Sequence, residues 1–288
     1  MTYIQRMNSS AQPHFFDGQI ATLVEAWSTT INDISSLAKA LDDDQWAAQS
    51  PCPGWTVGDI VAHVVAVERQ LAGDTLAVHE PDWSALPHVR EDEFSRFMEV
   101  GVDARRGSSR ADGIAELAEV IPRRTDQLQG IGADPDALVA GPAGSQVPLG
   151  RIMRMRVFDL WIHDQDIRDA INHPGHDAAS GAHVSAEILV STLPMLWGKK
   201  VGAQPGQSLN LHITGAISFE CTVAIGDDGR ANFVDAGADP TTTISTDWLT
   251  YVALGAGRVT YDEVQERVTI SGDRGLALRT LELANIAP

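Results

Sequence analysis

The first half of the chain alternates long segments, in which apolar side chains recur every three or four residues, with short polar or proline-rich segments. The longest periodic segment covers residues 16–41 and keeps this spacing for about seven turns. Further segments with the same period cover residues 56–73, 91–106, 114–128 and 148–171. Apolar residues at this spacing are typical of amphipathic helices, so we expect an all-α bundle of long helices here.

The pattern changes character beyond about residue 178. One more helical segment, 183–197, is followed by short runs that alternate apolar and polar residues, which is typical of β-strands. We predict strands at residues 209–214, 217–225, 231–235, 241–246 and 267–270, with helices at 248–254 and 274–284. The chain should therefore contain two domains, a helical bundle of residues 1–178 and an α+β domain of residues 179–288.

Charge excludes two classes of partner. The 288 residues include 21 Lys and Arg against 39 Asp and Glu, which gives a formal net charge of −18. The densest basic spots are only pairs, such as Arg105-Arg106. A chain of this charge repels phosphate groups, so we expect neither nucleic acid nor a membrane surface as a partner.

Cysteine usage and the chain start predict a cytoplasmic protein. Only Cys52 and Cys221 occur, and neither belongs to a C-x-x-C pair, which fits a reducing compartment. Residues 1–12 lack the basic start and apolar run of a signal peptide. No stretch approaches the ~18 consecutive apolar residues of a membrane span.

His63 is the first candidate for chemistry because it lies within the apolar stripe of the second predicted helix, between Ile60 and Val64. A buried imidazole needs a partner for each ring nitrogen. Taken alone, the position is explained more simply by a hydrogen-bonded histidine of the core than by a ligand.

The predicted helix at 148–171 concentrates polar side chains on one face. Arg156, Asp159, His163 and Asp166 follow one another at intervals of three or four residues. The adjacent strip is apolar, so this charged face borders the core instead of standing opposite to it.

Two interpretations of this face remain open. Asp159 and His163 at i and i+4 can bind one ion, and His63 from a facing helix would complete a set of two imidazoles and one carboxylate, as in catalytic zinc sites. Alternatively, Arg156, Asp159, Asp166 and Arg168 form an ordinary network of salt bridges.

Two segments carry a resemblance to a known family. Cys52-Pro-Gly-Trp-Thr-Val-Gly-Asp-Ile-Val-Ala-His63 resembles the signature of the DinB-like metal-binding domain of mycothiol-dependent maleylpyruvate isomerases. Residues 156–170 are similar to the later helix of that family, with a carboxylate and a histidine four residues apart. Residues 247–258 and 268–273 resemble the sterol-carrier-protein-like domain often joined to this bundle. The resemblance implies a DinB-like four-helix bundle followed by an α+β sterol-carrier-protein-like domain.

The resemblance also implies a site. His63, Asp159 and His163 would bind a divalent metal, with zinc as the expected ion, and mycothiol would be the thiol cosubstrate. The chain departs from the family at Asp159, because the family carries Glu there and Asp is one methylene shorter. Arg156 and Asp166 would either orient these ligands or act as ordinary ion-pair partners. We assign no catalytic residue beyond the metal ligands.

A metal with an open coordination position stabilises a thiolate, which can attack a small electrophile. Addition and departure of the thiolate would give cis-trans isomerisation as in maleylpyruvate isomerase, whereas retention would give S-transfer. The other function classes are a non-enzymatic protein that binds a lipid or small molecule, and a regulator that senses metal or thiol. The oligomeric state is left open.

Overall fold

The computed structural model describes residues 12–75, 78–141, 145–235 and 239–286. These residues form two compact units: 17–185, and 12–16 together with 186–286. In sequence, the change between the units falls between Ser185 and Ala186, a short distance beyond the boundary predicted after residue 178. The absence of a signal peptide was predicted from residues 1–12. Of these, residues 1–11 lie outside the described residues, so the prediction is not tested.

The unit of residues 17–185 is helical, as predicted. Its helices are α1 (Ile20–Ala40), α2 (Asp43–Trp46), α3 (Val57–Leu71), α4 (Glu93–Asp103), α5 (Arg110–Gln129), α6 (Leu149–Ala170) and the first residues of α7 (Ser180–Ser191). Helix α3 begins at a capping box, next to the start predicted at residue 56. Thr56 and Asp59 each satisfy the backbone N–H of the other, which stabilises the first turn of the helix that carries His63.

A short hairpin precedes α6, between the predicted helices of residues 114–128 and 148–171. Its strands are β1 (Leu138–Ala140) and β2 (Gln146–Pro148), which pair in antiparallel fashion. Each strand has only three residues and is largely exposed, so an alternation of buried and exposed positions is too short to detect. The hairpin leads directly into the helix that carries Asp159 and His163.

The core of this unit brings the two candidate ligand helices together. Helix α6 packs against α1 and α3, while α3 also packs against α4 and α5. Fully buried side chains at this core include Leu23, Trp27, Ile31, Ile34, Ile60, Val64, Leu117, Val157 and Leu160. Burial of each large apolar side chain stabilises the fold by about 1.5–3 kcal/mol, so the spacing of α3 and α6 is set by packing.

The second unit is α+β, as predicted. Its strands are β3 (Ser208–Thr214), β4 (Phe219–Ile225), β5 (Ala231–Val234), β6 (Thr242–Asp247) and β7 (Thr269–Gly272), and its helices after α7 are α8 (Leu193–Met195), α9 (Trp248–Gly255), α10 (Tyr261–Val264) and α11 (Arg274–Glu282). The sheet order is β5-β4-β3-β6-β7, and only β3 and β6 run parallel. Alternation along β3 buries Leu209, Leu211 and Ile213 and exposes His212.

The helix predicted at residues 183–197 differs in detail. Helix α7 ends at Ser191, α8 adds only three residues, and a π-helical segment covers Leu196–Val201 and closes on Gly202 in the left-handed conformation. Among the helices of the described residues, none combines the length and the apolar character needed to cross a membrane.

Candidate metal centre

The structure brings together the three side chains that the sequence singles out as metal ligands. His63 on α3 and Asp159 and His163 on α6 each offer one ligand atom, and these atoms lie within 4.8 Å of one another. Both histidine side chains are buried, with 5% and 6% of their surface exposed, whereas 34% of the Asp159 side chain is exposed. The cluster is therefore closed on the histidine side and accessible at the carboxylate.

The separations between the Asp159 carboxylate and each imidazole suit a single small cation. His63 Nε2 lies 3.3 Å from both carboxylate oxygens of Asp159, and His163 Nε2 lies 3.6 Å from Oδ1. Zinc bonds of about 2.0–2.2 Å in tetrahedral geometry place ligand atoms about 3.3–3.6 Å apart. Asp159 thus reaches both imidazoles although it is one methylene shorter than Glu.

The two histidines are oriented by different surroundings. His163 Nδ1 lies 3.0 Å from Asp166 Oδ2, and a proton shared there leaves Nε2 to face Asp159. His63 Nδ1 is buried and has no hydrogen-bond partner among the described residues. Asp166, predicted either to orient a ligand or to form an ion pair, therefore contacts the outer nitrogen of one candidate ligand.

The electrostatics of the cluster favour a carboxylate beside imidazole rings. Burial lowers the pKa of His63, although Asp159 opposes this effect. Burial would likewise lower the pKa of His163, but Asp159 and Asp166 outweigh it and raise the value. Burial alone would raise the pKa of Asp159, yet His63, Arg156 and His163 hold it well below its ordinary range. An ionised carboxylate and a neutral imidazole are the forms that ligate a metal, so the pKa shifts of Asp159 and His63 favour ligation, whereas an ion at His163 would have to displace the proton that the carboxylates beside it favour.

Arg156 connects the cluster to a buried carboxylate that the sequence reasoning missed. Its Nη1 donates to Asp159 Oδ2, and its Nε donates to Glu68 Oε1 at 2.7 Å. Glu68 is fully buried and also accepts from Trp27 Nε1 and Arg124 Nε, both at 2.9 Å. Burial would raise the pKa of Glu68, but Arg156 and Arg124 hold it below its ordinary value.

The salt-bridge network considered as the alternative takes a different form. Arg156 pairs with Asp159, and Asp166 pairs with His163. Arg168 instead donates from Nε to Asp164 Oδ2 at 2.9 Å. Three of the four residues of the predicted network are thus connected, from Arg156 through Asp159 and His163 to Asp166, and the connection runs through two candidate metal ligands.

Trp55 forms a wall of the cluster. Its ring centroid lies 5.1 Å from that of His63 and 5.8 Å from that of His163, while the two imidazole centroids are 4.9 Å apart. The indole Nε1 donates to Glu99 Oε2 at 2.9 Å, which fixes the plane of the ring. Three rings therefore enclose the buried side of the candidate site.

A signal for Glu68 and Arg124 exists in the sequence. Glu68 lies four residues after Val64 and therefore falls on the apolar stripe of α3. Arg124 lies four residues after Val120 and has the same relation to the buried side of α5. A charged side chain at a core position must find a buried partner, so each of these residues predicts a buried ion pair, although periodicity does not name the partner.

Comparisons with known proteins agree with the predicted family. The model of the mycothiol maleylpyruvate isomerase N-terminal domain matches residues 27–168. Crystal structures of a mycothiol-dependent maleylpyruvate isomerase, and of a mutant of it with one histidine changed to alanine, each cover 90% of this chain and 95% of the other chain. Both have a TM-score of 0.52 and 16% sequence identity. At this identity the likeness shows a common fold.

Other matches are more distant or shorter. Two uncharacterized proteins of Mycobacterium tuberculosis, from strains CDC 1551 and H37Rv, are each 21% identical over 140 residues, which is 49% of this chain. The match spans about half the length of these relatives, 52% of each. A sterol carrier protein 2 like 2 from Aedes aegypti aligns with 35% of the chain at 16% identity, but the TM-score is 0.27, from which no common fold follows.

The matched residues include all three members of the cluster and the full lengths of α3, α4 and α5. The isomerase structures extend the likeness of fold to nine tenths of the chain, which includes both the helical and the α+β unit. The helical domain of this chain therefore belongs to the mycothiol maleylpyruvate isomerase N-terminal domain family.

Proposed function

We propose that this chain is a metal-dependent enzyme that activates a low-molecular-weight thiol, with mycothiol as cosubstrate, for attack on a small electrophile. The observation that carries the proposal is the convergence of His63, Asp159 and His163 from two helices onto one point. The family supports mycothiol as the thiol and a maleylpyruvate isomerase-like reaction. S-transfer to an electrophile is the second reaction that the same site would support.

The donor set fits a divalent ion, with zinc as the expected metal. Two imidazole nitrogens and one carboxylate oxygen are common zinc ligands, and three protein ligands leave a position for an exogenous group. When bound, such an ion lowers the pKa of a thiol at that position and so supplies a thiolate at neutral pH. His63, Asp159 and His163 would hold it.

The protein's own residues orient and shield the site. Asp166 holds His163 through Nδ1, and Arg156 holds Asp159 through Oδ2. Trp55 lies against both imidazoles, so water has little access from the buried side. The partly exposed carboxylate of Asp159 marks the side on which a small molecule enters. A site that excludes water strengthens the electrostatic interactions on which thiol activation depends.

The two candidate reactions differ only in the fate of the thiol. Addition to a conjugated double bond leaves a single bond that rotates, and departure of the thiolate restores the double bond as the trans isomer. This reaction consumes no thiol. If the sulfur stays attached and a proton is added at the neighbouring carbon, the product is a thioether and one thiol is consumed.

The first test of the proposal is the metal content of tag-free protein. We expect a stoichiometric divalent ion in the wild type and its loss in His63→Ala and His163→Ala. His212→Ala is the matched control, because His212 is exposed on β3 in the other unit. A wild type without metal would contradict the enzyme proposal. A metal content of the two site variants equal to that of the wild type would contradict it as well. Stoichiometric lipid recovered from metal-free protein would favour a binding protein instead.

The second test separates the reactions. Purified protein is mixed with mycothiol and maleylpyruvate, and the cis and trans isomers and the free thiol are measured over time. Isomerisation without thiol loss supports the isomerase, and conjugation of a test electrophile with equal thiol loss supports S-transfer. If neither reaction exceeds the rate of His63→Ala protein with either substrate, the proposed chemistry is wrong.

A further inference from the structure

We propose that Glu68 is a positioning residue of the candidate metal centre. Through Arg156 it keeps the Asp159 carboxylate turned so that Oδ1 faces both imidazoles. The inference deepens the proposed function and rests on it, because it concerns how the same site is kept in a binding geometry. Glu68 is five residues beyond His63 on α3, so one helix supplies both a candidate ligand and this support.

The two oxygens of Glu68 have different tasks. Oε1 accepts from Arg156 Nε at 2.7 Å and from Trp27 Nε1 at 2.9 Å. Oε2 accepts from Arg124 Nε at 2.9 Å, and Arg124 continues away from the site to Gln127 Oε1 at 2.8 Å. One oxygen therefore faces the metal centre and the other faces the packing between α3 and α5.

Arg156 is held on all three guanidinium nitrogens. Nε donates to Glu68, Nη2 lies 3.4 Å from the Val64 carbonyl oxygen, and Nη1 donates to Asp159 Oδ2. Glu68 and Val64 are one turn apart on α3, so that helix supplies two of the three contacts. Because the guanidinium is planar, contacts at Nε and Nη2 also fix the direction in which Nη1 donates. That direction determines where Asp159 Oδ2 must lie.

The orientation of Asp159 depends on this contact more than on packing. Its side chain is 34% exposed, so apolar neighbours constrain it little, whereas Arg156 is 3% exposed and Glu68 is fully buried. Both oxygens of Asp159 lie 3.3 Å from His63 Nε2, but Oδ2 is engaged by Arg156, whereas Oδ1 lies 3.6 Å from His163 Nε2 and so faces both imidazoles. Without the charge of Glu68, Arg156 would lose its buried anchor and the carboxylate would be free to turn.

Metal affinity of the Glu68→Gln variant tests the inference. We expect the Kd for Zn²⁺, measured by competition with a chromophoric chelator, to rise by up to about tenfold to a hundredfold, the loss typical when a direct partner of a ligand, here Arg156, no longer holds it in place. Bound Co²⁺ should show an altered visible spectrum, because the spectrum reports the arrangement of the ligands. Both measurements concern binding and need no substrate.

Arg124→Gln is the matched control. It removes a partner from Oε2 of Glu68 and leaves the Arg156 contact in place, so it should lower the free energy of unfolding without changing the Zn²⁺ Kd or the Co²⁺ spectrum. A purely structural role for Glu68 predicts the opposite pattern, in which both variants lose stability and both keep the wild-type Kd.

The double variant Glu68→Gln/Arg124→Gln keeps the test decisive if Glu68→Gln does not fold. It removes one negative and one positive charge from the core and so restores the charge balance there. A folded double variant with a raised Kd supports the inference, and one with the Kd of the wild type overturns it. Failure of the wild type to bind Zn²⁺ would instead overturn the proposed metal centre itself.

Discussion

The two compact units bury different kinds of polar side chain. In residues 17–185 the buried set includes acidic, basic and imidazole groups: Asp59, His63, Glu68, Glu99, Arg124, Arg156, His163, Asp164, Asp166 and Arg168. In the described part of residues 186–286, the buried set contains no charged side chain or histidine, and its polar members are Thr222, Thr242, Thr246, Thr250 and Thr280. Within the described part of the chain, buried acidic, basic and imidazole side chains therefore belong to the helical unit.

The difference indicates what each core does. Removal of a charge from water costs several kcal/mol per ion even after relaxation, so a buried charge network is poor evidence for stability. Buried titratable groups with shifted pKa values concentrate instead at functional sites. In the α+β unit, burial raises the pKa of Cys221 to about 12, so this core stays uncharged at neutral pH. The charged core surrounds the candidate metal centre, and the neutral core is built on packing.

The largest expected effect of a single substitution is at Glu68. Replacement by Gln leaves the buried guanidinium groups of Arg156 and Arg124 without their shared anion, and this should lower the free energy of unfolding by about 3–5 kcal/mol at pH 7. Urea denaturation followed by tryptophan fluorescence measures the change. A decrease in the free energy of unfolding no larger than that of a substitution at an exposed position would show that the buried charge of Glu68 does not stabilise the helical unit.

The pH dependence of this loss has a definite sign. Arg156 and Arg124 hold the pKa of Glu68 below its ordinary value against the effect of burial. A depressed pKa stabilises the fold above the unfolded-state value of about 4.3, and this contribution disappears as the pH falls through the folded-state value. The stability gap between wild type and Glu68→Gln should therefore be full at pH 7 and shrink below about pH 4. A gap that is independent of pH would contradict an ionised Glu68.

Removal of the metal should affect the helical unit and spare the other. If Zn²⁺ binds only the folded state, a free concentration of 100 times Kd stabilises the protein by about 2.7 kcal/mol, and a chelator reverses this. Hydrogen exchange with and without Zn²⁺ locates the effect. Amides of α3 and α6 should gain protection, while strands β3 to β7 should not change. If Zn²⁺ protected the amides of both units from exchange to the same extent, the metal would not act on the helical unit alone.

The regular spacing of apolar residues made most helices and strands predictable from the sequence. The charged partners that meet across two helices were not predictable in this way. The Thr56 capping box marks the start of α3 because it is a local feature of the sequence. Asp159 and His163 share a face of α6 because four residues make about one turn. The contact of Glu68 with Arg156 depends on which helices pack together, and helical periodicity alone does not specify neighbours. Trp55 lies outside any helix, so its position against both imidazoles has no period to reveal it.

The smallest effect should come from a buried hydroxyl of the neutral core. Thr246 is 6% exposed, and its Oγ1 donates to the Arg267 carbonyl oxygen at 2.9 Å. Thr246→Val exchanges the hydroxyl for a methyl group, and loss of one neutral hydrogen bond should lower the free energy of unfolding by about 1 kcal/mol. The Zn²⁺ Kd should not change, because the helical unit contains every proposed ligand. A loss as large as that of Glu68→Gln would show that buried polar groups matter equally in both cores, and that charge does not distinguish them.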